Sequence, residues 1–475
     1  MEALVLILLI FTFQVATILV LEYRRPASAM AWLFILFLFP IVGFVLYYFL
    51  AREYQRRRKV RKRAKIDGQR RAEILQKSSV VSTPAEMPHP LFAQEERLFR
   101  LLRKAAAAPI TRRNRTQVLT NAEQAYEHML AAIRGARHHI HFATYILRDD
   151  DTGRLFRDEL IRKAREGVQI RLLYDGIGSY KLTRRFLEPL RQAGGETACF
   201  FPLRPSFMKK RMNYRNHRKI LVTDGRIGFV GGINVGDEYL GRDPRLGFWR
   251  DTHLRLEGDA VYGLQEVFLR DWEMATRRHL DDPEFFPPHS CDGSEVVQIV
   301  AGGPDRRDSA IHDTLYALIT SARERVWITT PYFIPDSSMV MALKHAAMSG
   351  LDVRVIVPLV SDTRLVQAAT LSYVDQLLSY GVRFWQYERG FVHAKVVIID
   401  RVMASVGTAN MDIRSFFNNF ELNAYLFDRA RIDDLERDFL QDLKDSREIE
   451  LSAFRKRPRT VKAGQALARM LSPLL

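Results

Sequence analysis

Two long apolar runs without a single charge open the chain, Ala3 to Leu21 and Met30 to Leu50. Wound as helices rising about 1.5 Å per residue, each reaches the roughly 30 Å of a hydrocarbon core, so the pattern predicts two transmembrane helices. Each run admits one other reading. The first has features of a cleavable signal peptide with Ala27-Ser28-Ala29 as its cleavage site, although Glu2 is acidic where a basic start is usual and the run is longer than such peptides need. The second also fits a re-entrant segment broken at Pro40 and Gly43.

Past residue 51 the pattern changes. A basic stretch gives way to one rich in Ser and Pro (Ser78, Ser79, Ser82, Pro84, Pro88, Pro90), which reads as a linker over 52–91. From there, short β-branched apolar runs alternate with longer mixed stretches in the order strand, helix, strand, helix, strand, an α/β pattern. The series occurs twice. Ala136 to Ile140 leads through Tyr145 to Gly167 to Leu173, and Ala322 to Val326 leads through Tyr332 to Gly350 to Ile356. Pro283, Pro287 and Pro288 mark the joint. The expected organisation is a membrane hairpin (1–51), the linker (52–91) and two halves, 92–290 and 291–475, each long enough to bury its own core.

The polar positions repeat as well. His217-x-Lys219 followed by Asp224 recurs as His393-x-Lys395 followed by Asp400; Gly231 and Gly407 stand 14 residues after their histidines, and Asn234 and Asn410 stand 17 after. One such pattern carries little information, but two with matched Gly and Asn do not arise by chance. Each sits on an apolar run, Ile220-Leu221-Val222 or Val396 to Ile399, and residues two apart on a strand share a face. His and Lys therefore project together. A second strand follows in each copy, Ile227 to Val230 and Val402 to Val406, and its exit sets the Gly and Asn beside them.

These residue types suit one chemistry. A neutral imidazole attacks an electrophile and a protonated one donates to a leaving group. Lysine and the asparagine amide suit the non-bridging oxygens of a phosphoryl group. A phosphate between two half-sites meets two Lys and two Asn, so one shared site at the interface of the halves is the economical arrangement. Taken singly, each motif also fits a satisfied core histidine beside a snorkelling lysine.

Charge and composition narrow the setting. Lys and Arg number 72 against 55 Asp and Glu, a net of +17, which in a soluble chain would point first to nucleic acid. No aromatic stacking series or nucleic-acid motif accompanies it, and Arg52, Arg56, Arg57, Arg58, Lys59, Arg61, Lys62, Arg63 and Lys65 abut the second apolar run. Only Arg24 and Arg25 lie between the runs. The positive-inside rule then places the exit and the catalytic region on the cytoplasmic side, facing anionic headgroups. A basic tail, Arg455 to Arg459, precedes Gln465 to Leu475, which reads as an amphipathic segment on the membrane. Two distant cysteines, Cys199 and Cys291, give no disulfide framework. With no H-E-x-x-H and no Cys cluster, neither a metal nor another cofactor is expected.

With the paired motif, the contexts Arg215-Asn216-His217-Arg218-Lys219 and Gly390-Phe391-Val392-His393-Ala394-Lys395, and Arg25-Pro26 before Ala31-Trp32, the chain resembles the phospholipase D superfamily over about residues 115 to 450. Within it, the resemblance is to the bacterial cardiolipin synthases. It implies an α/β fold of two pseudo-symmetric phospholipase D-like halves sharing one active site, preceded by two transmembrane helices, in the bacterial cytoplasmic (inner) membrane. It implies a catalytic set of His217, Lys219, Asp224, His393, Lys395 and Asp400, with His217 as the nucleophile and His393 as acid and then base. Lys219, Lys395, Asn234 and Asn410 would hold the phosphate oxygens. Asp251 in Trp249-Arg250-Asp251 and Glu421 in Asn419 to Asn423 match the carboxylates of the opposite half that orient each imidazole. Asp224 and Asp400 read as supports at strand ends rather than proton carriers. Phe207, Met208, Met212 and Tyr214, interleaved with Lys209, Lys210, Arg211 and Arg215, suit a lipid entrance or an ordinary loop, and Gly302-Gly303-Pro304-Asp305 a site lining or a plain turn.

The implied partners are phosphatidylglycerol and an anionic bilayer, not nucleic acid; an oligomer is compatible with the sequence and not specified by it. A hydrolytic phospholipase D, a transferase with another donor or acceptor, and a membrane-tethered nuclease share these motifs. A non-catalytic polyanion-binding module stands outside enzyme chemistry altogether.

Overall fold

The computed structural model describes residues 2–22, 26–50, 74–106, 108–202, 214–305 and 309–474. Arg24 and Arg25, the basic run from Arg52 to Lys65 and the stretch from Phe207 to Met212 lie outside the described residues.

Among the described residues, fifteen strands join in one sheet: β1 (Ile110–Thr120), β2 (His139–Thr144), β3 (Gln169–Asp175), β4 (Glu196–Phe200), β5 (Ile220–Thr223), β6 (Ile227–Gly231), β7 (Thr252–Gly258), β8 (Glu295–Gly302), β9 (Arg325–Thr329), β10 (Asp352–Pro358), β11 (Arg383–Tyr387), β12 (Val396–Ile399), β13 (Met403–Gly407), β14 (Glu421–Leu426) and β15 (Ser446–Glu448). Their spatial order is β15-β11-β10-β9-β12-β13-β14-β8-β1-β7-β6-β5-β2-β3-β4. Read outward from the middle, the first half runs β1-β7-β6-β5-β2-β3-β4 and the second β8-β14-β13-β12-β9-β10-β11. The two are the same path walked twice. They meet where β1 pairs antiparallel with β8, Ile110 opposite Gln298. In each half the last three strands of this path are parallel and the inner hairpin strands antiparallel, as the doubled strand and helix pattern implies, and β15 adds an antiparallel edge to the second half.

Helices cover both faces, because strands buried on both sides need apolar cover on both. Three buried clusters result, one centred in each half and one running across the joint. The helices Asp259–Thr276 and Arg429–Lys444 occupy equivalent places, each following the strand that carries a site carboxylate at or just before its start, and both line the shared core with Phe268, Trp272, Leu435 and Phe439.

The expectation of two membrane-crossing helices is not confirmed: among the described residues, no helix is long and apolar enough to cross a membrane. The first apolar run forms α1 (Glu2–Leu21), but the second is two helices, α2 (Pro26–Leu38) and α3 (Pro40–Leu50). Proline has no N–H to donate and its ring crowds the carbonyl four residues back, so the helix breaks at Phe39. The chain then doubles back: the Trp32 and Tyr47 rings meet edge-on at 5.5 Å.

Candidate active site

Each motif histidine lies on a short extended stretch laid against the other half. The His217 N–H donates to the Phe420 carbonyl at 2.9 Å, and the Phe420 N–H to the Arg215 carbonyl at 2.8 Å. In the other half-site Gly390–Val392 pairs in parallel with Phe248–Arg250, and the His393 N–H donates to the Arg250 carbonyl at 2.7 Å. The residue after each accepting carbonyl is acidic, Glu421 in one case and Asp251 in the other. Backbone pairing across the halves thus delivers a carboxylate to each ring.

His217 Nδ1 lies 3.0 Å from Glu421 Oε2 and 3.1 Å from the Thr408 carbonyl; His393 Nδ1 lies 2.7 Å from Asp251 Oδ2. These partners only accept, so Nδ1 carries the proton and Nε2 keeps its lone pair. The carboxylates are wholly buried and themselves held: Glu421 by the Thr408 hydroxyl (2.5 Å) and the Asn419 amide (3.1 Å), Asp251 by the Thr252 N–H (2.8 Å) and the Trp249 indole (3.4 Å). Tyr145 sits edge-on to His217 with ring centroids 4.9 Å apart, and Trp249 covers His393 at 5.1 Å.

Each lysine ammonium donates to the carbonyl of its own motif histidine, Lys219 at 2.7 Å and Lys395 at 2.5 Å. Burial drives the imidazoles down, His217 to about 4 and His393 to about 3, against the pull of Glu421 and Asp251. Burial also lowers Lys219 to about 7, with the charge of Lys395 adding to it, and Lys395 to about 8. Both histidines feel both lysines, so the half-sites share one polar chamber.

Asp224 and Asp400 are not brought to this chamber. Each follows its four-residue strand (β5 or β12) at the end away from the histidine, and a strand advances about 3.3 Å per residue. Asp224 accepts from the N–H groups of Arg137, His138 and His139, and Asp400 from those of Arg323, Glu324 and Arg325. Both have positive φ (54° and 50°), and both clamp the segment entering β2 or β9.

The two asparagines differ. Asn234 accepts from the Ile146 N–H at 3.0 Å and donates to the Tyr239 hydroxyl at 2.8 Å, leaving one amide hydrogen uncommitted. Asn410 Oδ1 is buried without a hydrogen-bond partner. A Cβ on Gly231 would lie 2.5 Å from the Thr252 carbonyl oxygen, and one on Gly407 would run into the Leu422 carbonyl and Asn423. Glycine lets the hairpins close against the strands that deliver Asp251 and Glu421.

Sequence reasoning gave no role to Arg218 or Arg250. The Arg218 side chain is 0 % exposed; it donates to the Glu421 carbonyl (3.0 Å) and the Gly302 carbonyl (2.7 Å) and pairs with Asp271 (2.5 Å). Arg250 pairs with Asp442 (2.7 Å) and Asp438 (3.2 Å) and donates to the Asp251 carbonyl (2.5 Å). Both tie a carboxylate-bearing strand in place. For Arg250 the available signal was its place directly after Phe248 and Trp249, where a buried arginine needs a partner to neutralise it; Arg218, among the polar residues Arg215 to Lys219, carried no such signal. The Gly302 turn therefore stands behind the site, tied to Arg218.

The fold and the paired half-sites define a phospholipase D-like α/β protein. A family model described as cardiolipin synthase, PLD-like domain, matches residues 129–272 and 315–443, and one described as phospholipase D-nuclease N-terminal matches residues 3–52. A cardiolipin synthase of Geobacillus kaustophilus is 43% identical over 463 residues, covering 97% of this chain and 91% of its own. Cardiolipin synthase 2 of Bacillus anthracis is 43% identical over 465 residues, covering 98% and 90%. The crystal structure of a phosphatidylserine synthase from Haemophilus influenzae shares the fold at a TM-score of 0.60 and 13% identity, over 80% of this chain and 100% of that one. The chain belongs to the cardiolipin synthase family of the phospholipase D superfamily.

Proposed function

We propose that the site transfers a phosphatidyl group between two phosphatidylglycerol molecules through a phosphohistidine on His217. His217 Nε2 attacks phosphorus, the bond from phosphorus to the glycerol oxygen breaks, and His393 gives that oxygen its proton. A hydroxyl of the second phosphatidylglycerol then loses its proton to His393 and attacks phosphorus. The P–N bond breaks and cardiolipin forms. The balance is two phosphatidylglycerols to one cardiolipin and one glycerol, with no nucleotide consumed.

The observation that carries this reading is the hold of each imidazole by a carboxylate of the other half, which leaves both Nε2 atoms free for the reacting group. Lys219 and Lys395 supply positive charge to the equatorial oxygens, with Asn410 and the remaining Asn234 hydrogen beside them. Burial keeps His217 neutral, as a nucleophile must be. His393 needs a proton, and the negative phosphodiester beside it raises its proton affinity as substrate binds, while Asp251 stabilises the imidazolium. The N-terminal apolar helices hold the catalytic body at the cytoplasmic face of the bacterial inner membrane, where its substrates are.

The test is product analysis: purified full-length enzyme in mixed micelles with phosphatidylglycerol alone, beside His217→Ala and His393→Ala. Cardiolipin and glycerol in equal amounts, lost in either variant, are expected. Phosphatidic acid as sole product would make the protein a hydrolase, and formation of cardiolipin only when another phospholipid is added would change the donor or acceptor.

A further inference from the structure

Met30 to Leu50 is long enough in sequence to cross a bilayer, but its helices fold back on each other. Along a straight helix Trp32 and Tyr47 would be roughly 22 Å apart; their rings touch at 5.5 Å, and Tyr47 also stacks on Phe44. A Cβ on Gly43 would lie 2.9 Å from the Ile35 carbonyl oxygen, so only glycine lets the arms close this tightly. The 13 residues of α2 and 11 of α3 give arms of roughly 20 Å and 17 Å, short of a full hydrocarbon core of about 30 Å and ample for one leaflet.

The turn between the arms is apolar and bare: Phe37, Phe39, Ile41 and Val42 are 76%, 60%, 79% and 59% exposed. Such a tip is stable among acyl chains and costly in water. Charge points the same way. Arg24 and Arg25 precede α2, and the longer basic run begins at Arg52. A straight span would put these two clusters on opposite sides of the membrane; a doubled-back segment puts both on the cytoplasmic side, as the positive-inside rule favours. The hairpin is fastened to the catalytic body: Leu474, in the turn Ser472–Leu474, packs into the cluster of Ile18, Trp32, Leu36 and Tyr47. That same turn touches helix Ile413–Phe417, which begins three residues after Asn410.

We propose that α2 and α3 form a re-entrant hairpin that enters and leaves the bilayer through the leaflet facing the catalytic body, with its tip at Phe39–Ile41 among that leaflet's acyl chains. The junction between α1 and α2 then lies on the same side as the active site. Both lipid substrates are drawn from that one leaflet. The inference rests on the reading that this enzyme works at a membrane, and deepens it.

The test uses the full chain with Cys199→Ser and Cys291→Ser, reconstituted in sealed phosphatidylglycerol vesicles with the catalytic body outside. Glu22→Cys is treated with a membrane-impermeant maleimide, beside Glu188→Cys, an exposed position on the body. Labelling of both to the same extent without detergent is expected. Labelling of Glu22→Cys only after detergent would overturn the proposal in favour of a full span. A nitroxide on Ile41→Cys should be broadened by oxygen and not by an aqueous nickel chelate; the reverse would put the tip in water. Cardiolipin formation by the same cysteine-free protein, measured separately, tells a failed hairpin from a failed reaction.

Discussion

Replacing Glu421 by Gln is isosteric, yet neither setting of the new amide satisfies its neighbours. With the amide oxygen toward His217, the amide nitrogen faces the Asn419 Nδ2 that now donates to Glu421 at 3.1 Å, donor against donor. With the amide turned over, its N–H groups face the Thr408 hydroxyl and His217 Nδ1; the ring either keeps its proton on the Thr408 carbonyl against an opposing donor or moves it to Nε2, which then cannot attack. The first setting loses a charge-assisted bond of roughly 1.5–3 kcal/mol, about 10- to 150-fold in rate. The second adds the wrong tautomer, for which a comparable Asp→Asn change in a serine protease lowers kcat about 10⁴-fold. A fall in kcat of about 10²- to 10⁴-fold with KM within about threefold is therefore expected, because Glu421 holds His217 and not the lipid. Rapid-quench measurement with phosphorus-labelled phosphatidylglycerol should show slowed formation of the phosphoenzyme. Full kcat in a variant of unchanged melting temperature would refute the argument that the carboxylate fixes the nucleophile.

The counterpart Asp251→Asn should slow both steps, since His393 protonates the departing glycerol as the phosphoenzyme forms and takes the acceptor's proton as it breaks down, so that any phosphoenzyme formed also decays more slowly than in the parent. Because burial lowers Lys219 to about 7 and Lys395 to about 8, kcat/KM should fall as pH rises through that range, and Lys219→Arg should move the limb upward. His217 and His393, held near 4 and 3, bind protons more readily unfolded than folded. Their contribution to stability is present above about pH 6.5 and is lost as pH falls toward 4, which a series of melting curves will register. Asp400→Asn should cost about 1.5–3 kcal/mol of stability, read by denaturant unfolding, with kcat of the folded protein nearly unchanged. Arg218→Ala should destabilise by about 3–5 kcal/mol, since it leaves Asp271 buried and unpaired. EDTA should leave turnover unchanged, since the two lysines supply the positive charge.

Much of the fold was legible in the chain because its information is local. Alternation of apolar runs set strand against helix, side chains two apart put His217 with Lys219 and His393 with Lys395, and the repeat of both features announced two halves. The resemblance also named Asp251 and Glu421, but no spacing within either half says which ring each one meets. Those contacts join residues 204 and 142 positions apart and exist only because the Phe420 and Arg250 carbonyls pair with the opposite motif. The burial that lowers the histidines and lysines is likewise a property of the closed chamber. Asp224 and Asp400, conspicuous within the motif, turn to backbone amides because four strand residues carry them away from the two imidazoles. The count of apolar residues made Met30 to Leu50 a span; a proline without an N–H and a glycine without a side chain folded it back, and that outcome depends on which surfaces meet after the turn.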